Sequence, residues 1–453
     1  MRAPSMALLV LALGACDPFV FDDLQDSAGV VVLEAPDGYP SRSLGAVLTG
    51  FDGSLGGTEV SRIAAGGGTN MPLAVHEVWN GRGLALGNAL YQACDDPGDC
   101  DRDAGAAVAG IPSWRPGSPA SGEMCLLIGS PTADSVTVRC EEPRINEPLM
   151  GPAGTRLGAS LASLAPGSAA GVAIVGAPGA NSGDGAIYRI PDGSNPVQLS
   201  VPVSAIAARG GLGSAIAVAP LPGGATLVVA GAPGARRVLV LVVSSDGMGG
   251  VVTNLRSCID GPEDGFGGVV AAGDVDGDSW PEVFVSRSAD AMSRTEMLVM
   301  LPGTGLPDPG GCSAAWGEGA VPIPCPAGLD SATCGRGYGS ALAIGDVDAD
   351  GLGDLIVGDP SATARGHEDA GAVFVLPGHA SGLDGMRADA LTLSSAEPGD
   401  SLGAVVATVR TDLDAMSPRV EVVAGAPGAG SVALFLCSGL EGDTLAVGQR
   451  CTP

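Results

Sequence analysis

The chain has 453 residues, 73 of them Gly and 35 Pro, with only 7 Phe, 4 Tyr and 4 Trp. Its 22 basic residues are all Arg and face 50 acids, for a net charge of −28. That charge argues against a nucleic-acid or polybasic membrane surface, the Gly and Pro against long helices, and the 45% apolar content against disorder. Many short strands joined by Gly/Pro turns remain, over a core of Ala, Val, Leu and Ile.

In chain order, the first element is an export signal. One Arg, then an apolar run through Leu8, Leu9, Val10, Leu11 and Leu13, ends in Gly14-Ala15-Cys16. The run is too short to span a bilayer. Leu13-Gly14-Ala15-Cys16 resembles the bacterial lipobox, which implies cleavage before Cys16 and lipidation of that Cys. Residues 1–15 are then a lipoprotein signal peptide and 16–27 a short linker. Ten Cys remain, an even number that suits an oxidising compartment. Sequence does not give their connectivity, but proximity suggests Cys94–Cys100, Cys125–Cys140, Cys258–Cys312, Cys325–Cys334 and Cys437–Cys451. Three scattered His and no CxxC pair argue against a zinc site.

Beyond the linker the chain repeats itself. A Leu, Phe or Tyr followed by Gly begins each unit, at residues 44, 86, 157, 212, 266, 338 and 402. A second element ends in Gly-Ala-Pro or a relative of it. It reads Val175-Gly176-Ala177-Pro178, Ala230-Gly231-Ala232-Pro233, Val357-Gly358-Asp359-Pro360 and Ala424-Gly425-Ala426-Pro427. Ile128-Gly129-Ser130-Pro131 is a weaker copy, and Val285-Ser286-Arg287 stands in the fifth unit. Each unit holds three or four strand-length apolar runs, such as Val172–Val175, Ala186–Ile190 and Val197–Val201. One such sheet cannot cover both its faces, but seven arranged radially can. The Gly of the first element would let inner strands pack closely, and the Pro of the second would end a strand.

These residues are similar to the FG-GAP repeat, and the chain resembles the seven-bladed β-propeller of integrin α subunits. The expected fold is all-β, with residues 28–453 forming that propeller. The sixth unit matches best and the first two poorly. The resemblance further implies that an N-terminal strand closes the last blade, and Val30-Val31-Val32-Leu33 is the candidate.

Two units carry acid ladders between their halves: Asp274, Asp276, Asp278 and Glu282 in the fifth, Asp346, Asp348, Asp350 and Asp354 in the sixth. The acids fall at positions 1, 3, 5 and 9. Ca²⁺ takes six to eight oxygens from a tightly turning loop. Alternate residues of such a loop point inward, so this spacing is expected to gather four carboxylates, with the backbone carbonyl of Trp280 or Leu352 at position 7. Gly351 holds position 6 in one loop, and Ser279 replaces it in the other. Two Ca²⁺ sites are therefore expected. The seventh unit (Asp412, Asp414, Met416) has a broken ladder, and the third and fourth have none.

Gly399-Asp400-Ser401-Leu402-Gly403 imitates a hydrolase string. A nucleophile elbow needs a strand before it, a helix after it and a His in reach. No His lies downstream of Ser401, and Leu402-Gly403 already serves the repeat. The expected function is thus non-enzymatic: a calcium-stiffened, lipid-anchored binding or adhesion scaffold at the bacterial envelope. Its ligand would be an extracellular or envelope protein or a glycan. Membrane contact would be made only through the N-terminal lipid, and no nucleic acid is expected. The rival readings are a propeller-associated hydrolase using Ser401 and a purely structural envelope component.

Overall fold

A computed structural model describes residues 30–436 apart from 35–43, 56–57, 68–72, 80–83, 92–105, 115–122, 141–144, 165–167, 169, 192, 203–204, 249, 263, 288–297, 307–311, 313, 316–318, 328, 330, 385–387 and 411–419. Within it seven blades, each built on four antiparallel strands, form a β-propeller. Their inner strands are Val47–Leu55, Ala107–Trp114, Ser160–Ser163, Ala215–Pro220, Phe266–Gly273, Ala341–Gly345 and Val405–Val409. Each inner strand touches the next, and the seventh touches the first, so the ring is closed.

Closure is made by the N-terminal strand. Val30–Glu34 pairs antiparallel with Ser431–Phe435 and completes blade seven, as the sequence suggests. Blade one must therefore take its own fourth strand from further along the chain, and that strand is Leu84–Tyr91. This corrects the expected start of the second unit. Leu86-Gly87-Asn88-Ala89 lies in the outermost strand of blade one, where Gly87 pairs with Glu77 and Ala89 with Val75. Blade two begins at Ala107 instead.

The core is divided by the architecture. Seven clusters of buried apolar side chains occur among the described residues, one at each junction between neighbouring blades. A middle strand is covered on both faces. Thr226–Ala232, Asp354–Asp359 and Glu421–Ala426 are therefore buried at every residue and read as continuous runs rather than alternations. In each of these strands the Pro of the second element follows directly on the last residue and ends the pairing.

The two repeat elements meet at these junctions. Leu44, Leu157, Leu212, Phe266, Tyr338 and Leu402 are all buried. The Gly after each takes φ between +83° and +92°, a left-handed region open to Gly without steric cost. That Gly lies against the second-element Gly of the preceding blade. A Cβ on Gly158 would sit 2.9 Å from the Gly129 Cα, and one on Gly213 2.9 Å from the Gly176 Cα. Gly403 against Gly358 (3.1 Å) and Gly45 against Gly425 (2.9 Å) repeat the contact. Between blades five and six the partner of Gly339 is Ser286, whose Oγ would lie 2.8 Å from the added carbon.

Three of the expected disulfides are present. Cys125–Cys140 staples paired positions of blade two, and Cys325–Cys334 closes a short loop before blade six. Cys258–Cys312 ties the last strand of blade four to a segment that adds a parallel fifth strand, Ala314–Ala315, to that blade. Arg237 holds the same segment, with its guanidinium on both oxygens of Asp260 and on the Cys312 carbonyl. Cys16, Cys94, Cys100, Cys437, Cys451 and the signal sequence lie outside the described residues.

Candidate metal centres

Both acid ladders lie in the turn from a blade's inner strand to its second strand, and the pairing frames them identically. Gly273 pairs with Glu282 in blade five, and Gly345 pairs with Asp354 in blade six. Position 9 is thus the first residue of a middle strand and is buried, at 2% exposure for Glu282 and 1% for Asp354.

A buried carboxylate needs donors, and the backbone supplies them. Asp354 accepts the Val347 N–H (2.7 Å) and the Gly378 N–H (2.9 Å). Glu282 accepts the matching pair, Val275 N–H (3.0 Å) and Gly303 N–H (3.2 Å), so the longer side chain fills the same place. Gly303 and Gly378 were not among the expected site residues. The signal for them is a Leu-Pro-Gly just after the third strand in both ladder-bearing units, Leu301-Pro302-Gly303 and Leu376-Pro377-Gly378.

Position 1 shapes the turn. Asp274 accepts the Gly277 and Ser279 N–H groups at 2.7 and 2.9 Å, and Asp346 accepts those of Asp350 and Gly351 at 3.1 and 3.0 Å. Such tight winding requires left-handed residues at positions 4 and 6. These are Gly277 (φ +80°) and Ser279 (+69°) in blade five, and Ala349 (+61°) and Gly351 (+90°) in blade six. Each loop provides Gly at one of the two positions and bends an ordinary residue at the other.

The result is two acidic clusters. One carboxylate oxygen each from Asp274, Asp276 and Glu282 lie within 4.8 Å of one another, and so do those of Asp346, Asp348 and Asp354. The position-5 acids, Asp278 and Asp350, lie outside that distance but close enough for their charges to act on Glu282 and Asp346. They turn Oδ1 to the N–H two residues on, that of Trp280 (2.7 Å) and of Leu352 (2.8 Å). These bonds tie the backbone of Trp280 and Leu352, the expected carbonyl donors, to position 5 of each loop. Asp276 and Asp348 at position 3 make the same turn, accepting the Asp278 and Asp350 N–H groups at 3.1 and 3.2 Å while staying in the clusters.

The electrostatics of the clusters favour a cation. Burial pushes the Asp354 carboxyl up to about 7, and the Asp348 and Asp346 charges add to this against the two amide bonds. Burial likewise raises Glu282 and Asp346, with neighbouring acids adding to the shift. Carboxylates that resist ionisation because they are buried together are relieved by a positive ion among them. The donors are all hard oxygens, the kind that Ca²⁺ or Mg²⁺ takes rather than a thiophilic metal.

Blade seven holds an acid at the corresponding place. Glu421 is buried and pairs with Val409. Position 1 there is Arg410, which lies 3.8 Å from Asp52 of blade one. Ser401 sits in the turn leading to this blade's inner strand. It takes φ +59°, donates its N–H to the Asp369 carbonyl and its Oγ to that of Gly399, and precedes strand rather than helix.

Residues 338–376 match the family model of the FG-GAP repeat. They run from the first-element aromatic of blade six through its acid loop to its third strand. The chain is a seven-bladed β-propeller with an FG-GAP repeat in its sixth blade, similar to the FG-GAP propeller of integrin α subunits. The Gly-to-Gly contacts at four further junctions carry the same repeat around the FG-GAP ring beyond the matched residues. No curated protein matches the chain. An FG-GAP propeller is a scaffold suited to binding, with loops mounted on a rigid frame, and the two clusters in this one could each hold a metal ion.

Proposed function

We propose that this FG-GAP propeller is a calcium-binding scaffold, exported and lipid-anchored at Cys16, that engages a protein or glycan ligand at the bacterial envelope. The observation that carries the calcium reading is the buried position-9 carboxylate. Glu282 and Asp354 are each held by two backbone amides and brought against two further aspartates. A bound Ca²⁺ would supply charge neutralisation. The chain's part is to place the carboxylates and to fix each turn between two paired strands. The Leu-Gly-Ala-Cys motif and the disulfides support export and anchoring. The acidic surface and absence of Lys support a partner other than nucleic acid. The scaffold role rests on the fold, and adhesion rests on analogy with the integrin propeller.

Calorimetric titration should find two Ca²⁺ per chain. Asp348→Ala combined with Asp350→Ala should leave one, and a stoichiometry still at two would remove the blade-six assignment. On a glycan and matrix-protein array, the propeller should bind in calcium and lose that binding in chelator. Retention at every feature after chelation would separate binding from the metal, and no binding to any feature would favour the structural reading.

A further inference from the structure

The two clusters are not separate attachments to the ring. The carbonyl of Asp274, whose side chain is position 1 of the blade-five loop, accepts the N–H of Gly353 at 2.8 Å. Gly353 directly precedes Asp354, position 9 of the blade-six loop. A second bridge runs through Gly378-His379. Gly378 donates to the Asp354 carboxylate at 2.9 Å, and the next N–H, that of His379, donates to the Val275 carbonyl of the blade-five loop at 2.9 Å. Gly378 is closely held between the loops, since a Cβ there would meet the Gly353 carbonyl at 2.6 Å and the Val275 carbonyl at 2.8 Å. A third contact is apolar. The Leu352 side chain lies over Gly277, 2.9 Å from where a Cβ would be.

Every residue in these bridges is a cluster acid or a close chain neighbour of one, apart from Gly378, which donates to the Asp354 carboxylate, and His379, which follows it. Fixing Asp354 therefore fixes the partners of the Asp274 and Val275 carbonyls, and the reverse holds equally. We infer that the blade-five and blade-six loops form one coupled binding unit, in which a divalent cation taken up by either loop raises the affinity of the other. The inference rests on the calcium reading above. Its physical basis is shared ordering. The first ion bears the conformational entropy of setting the bridges, and the second finds them already set. Through-space charge acts the other way, because the first ion weakens the negative field seen by the second. Salt screens that opposing term, with a Debye length of about 8 Å at physiological ionic strength, but leaves the hydrogen bonds in place.

The test is a Ca²⁺ titration of the full chain at raised salt, followed by calorimetry and by the fluorescence of Trp280 in the blade-five loop, with Trp280→Phe as the blank. The expected isotherm is sigmoidal, with a Hill coefficient between 1 and 2. Asp348→Asn should weaken the remaining blade-five site about fivefold or more, the lower end of measured couplings. Glu282→Gln should weaken the blade-six site by the same factor, since coupling is reciprocal. His379→Pro removes one bridging N–H without touching a cluster acid, and should keep two ions while lowering the Hill coefficient towards 1. If that variant does not fold, the reciprocal pair decides alone. Two ions bound independently, with either single-loop variant leaving the other site's affinity unchanged, overturn the coupling and spare the calcium reading. Failure to bind any Ca²⁺ overturns both.

Discussion

Adding one methyl group at Gly358 should lower the melting temperature by roughly 3–4 °C, on the basis of a cost of about 3 kcal/mol for forced overpacking in a propeller of this size. The new carbon would lie 2.1 Å from the Gly403 carbonyl oxygen and 3.1 Å from the Ala341 Cβ. The first neighbour is backbone of the next blade, so no rotamer change relieves the clash, and the blades must move apart. Gly366→Ala is the matched control. It has nothing within 4 Å but takes φ +82°, so it carries only the left-handed penalty of about 1–2 kcal/mol. Gly358 is not among the positive-φ glycines, so its cost is purely one of space. Thermal melts of the two variants side by side check this. If Gly358→Ala melts with or above Gly366→Ala, the blade-to-blade contact does not set the repeat's glycines.

The metal-depleted protein should be less stable at pH 8 than at pH 5, and saturating calcium should reverse the order. Asp354 is held near 7 in the folded chain, against an ordinary value of 3.8. Between those values the folded loop keeps a proton that the unfolded chain has released, so stability falls as pH rises. The contribution is complete below about pH 4 and gone above about pH 7, and it amounts to about 4 kcal/mol. Glu282 and Asp346 are raised too and act in the same direction. A cation takes the proton's place, so calcium uptake should release protons below pH 7 and stabilise most above it. Melting curves at the two pH values, with and without calcium, measure this. Asp354→Asn, which cannot ionise, should flatten the metal-free slope. A metal-free protein that gains stability from pH 5 to 8 would contradict the buried-cluster account.

Much of this architecture is written in short strings. The dipeptide that opens six of the seven blades has one physical job, an apolar plug followed by a left-handed residue without a side chain, so Tyr338-Gly339 and Leu402-Gly403 announce their blades. The same dipeptide misleads at Leu86-Gly87, because Leu and Gly are common and two residues cannot tell an inner strand from an outer one. The acid ladders were legible as loops because alternating acids around a Gly have few other uses. The distance of position 5 from the other acids was not, because it depends on the local winding of the loop rather than on the spacing of the acids. Glu421 was hidden by length. Its turn runs from Arg410 to Val420, longer than the eight-residue turns of blades five and six, and only the pairing with Val409 reveals its register. The amides of Gly303 and Gly378 come from another turn of the same blade, beyond the reach of a local motif.

The latch in blade seven sets the order of assembly. Val30–Glu34 is among the earliest described segments to be synthesised, and its hydrogen-bonding partner, Ser431–Phe435, is the last described strand. Blades one to six can zip up from contacts close in sequence as the chain emerges. The final sheet waits for the two extremities to find each other, a high contact-order event that is slow by nature. Until then both terminal blades present raw edges to the surroundings, and the interval before the circle shuts is when this protein is most open to aggregation and proteolysis.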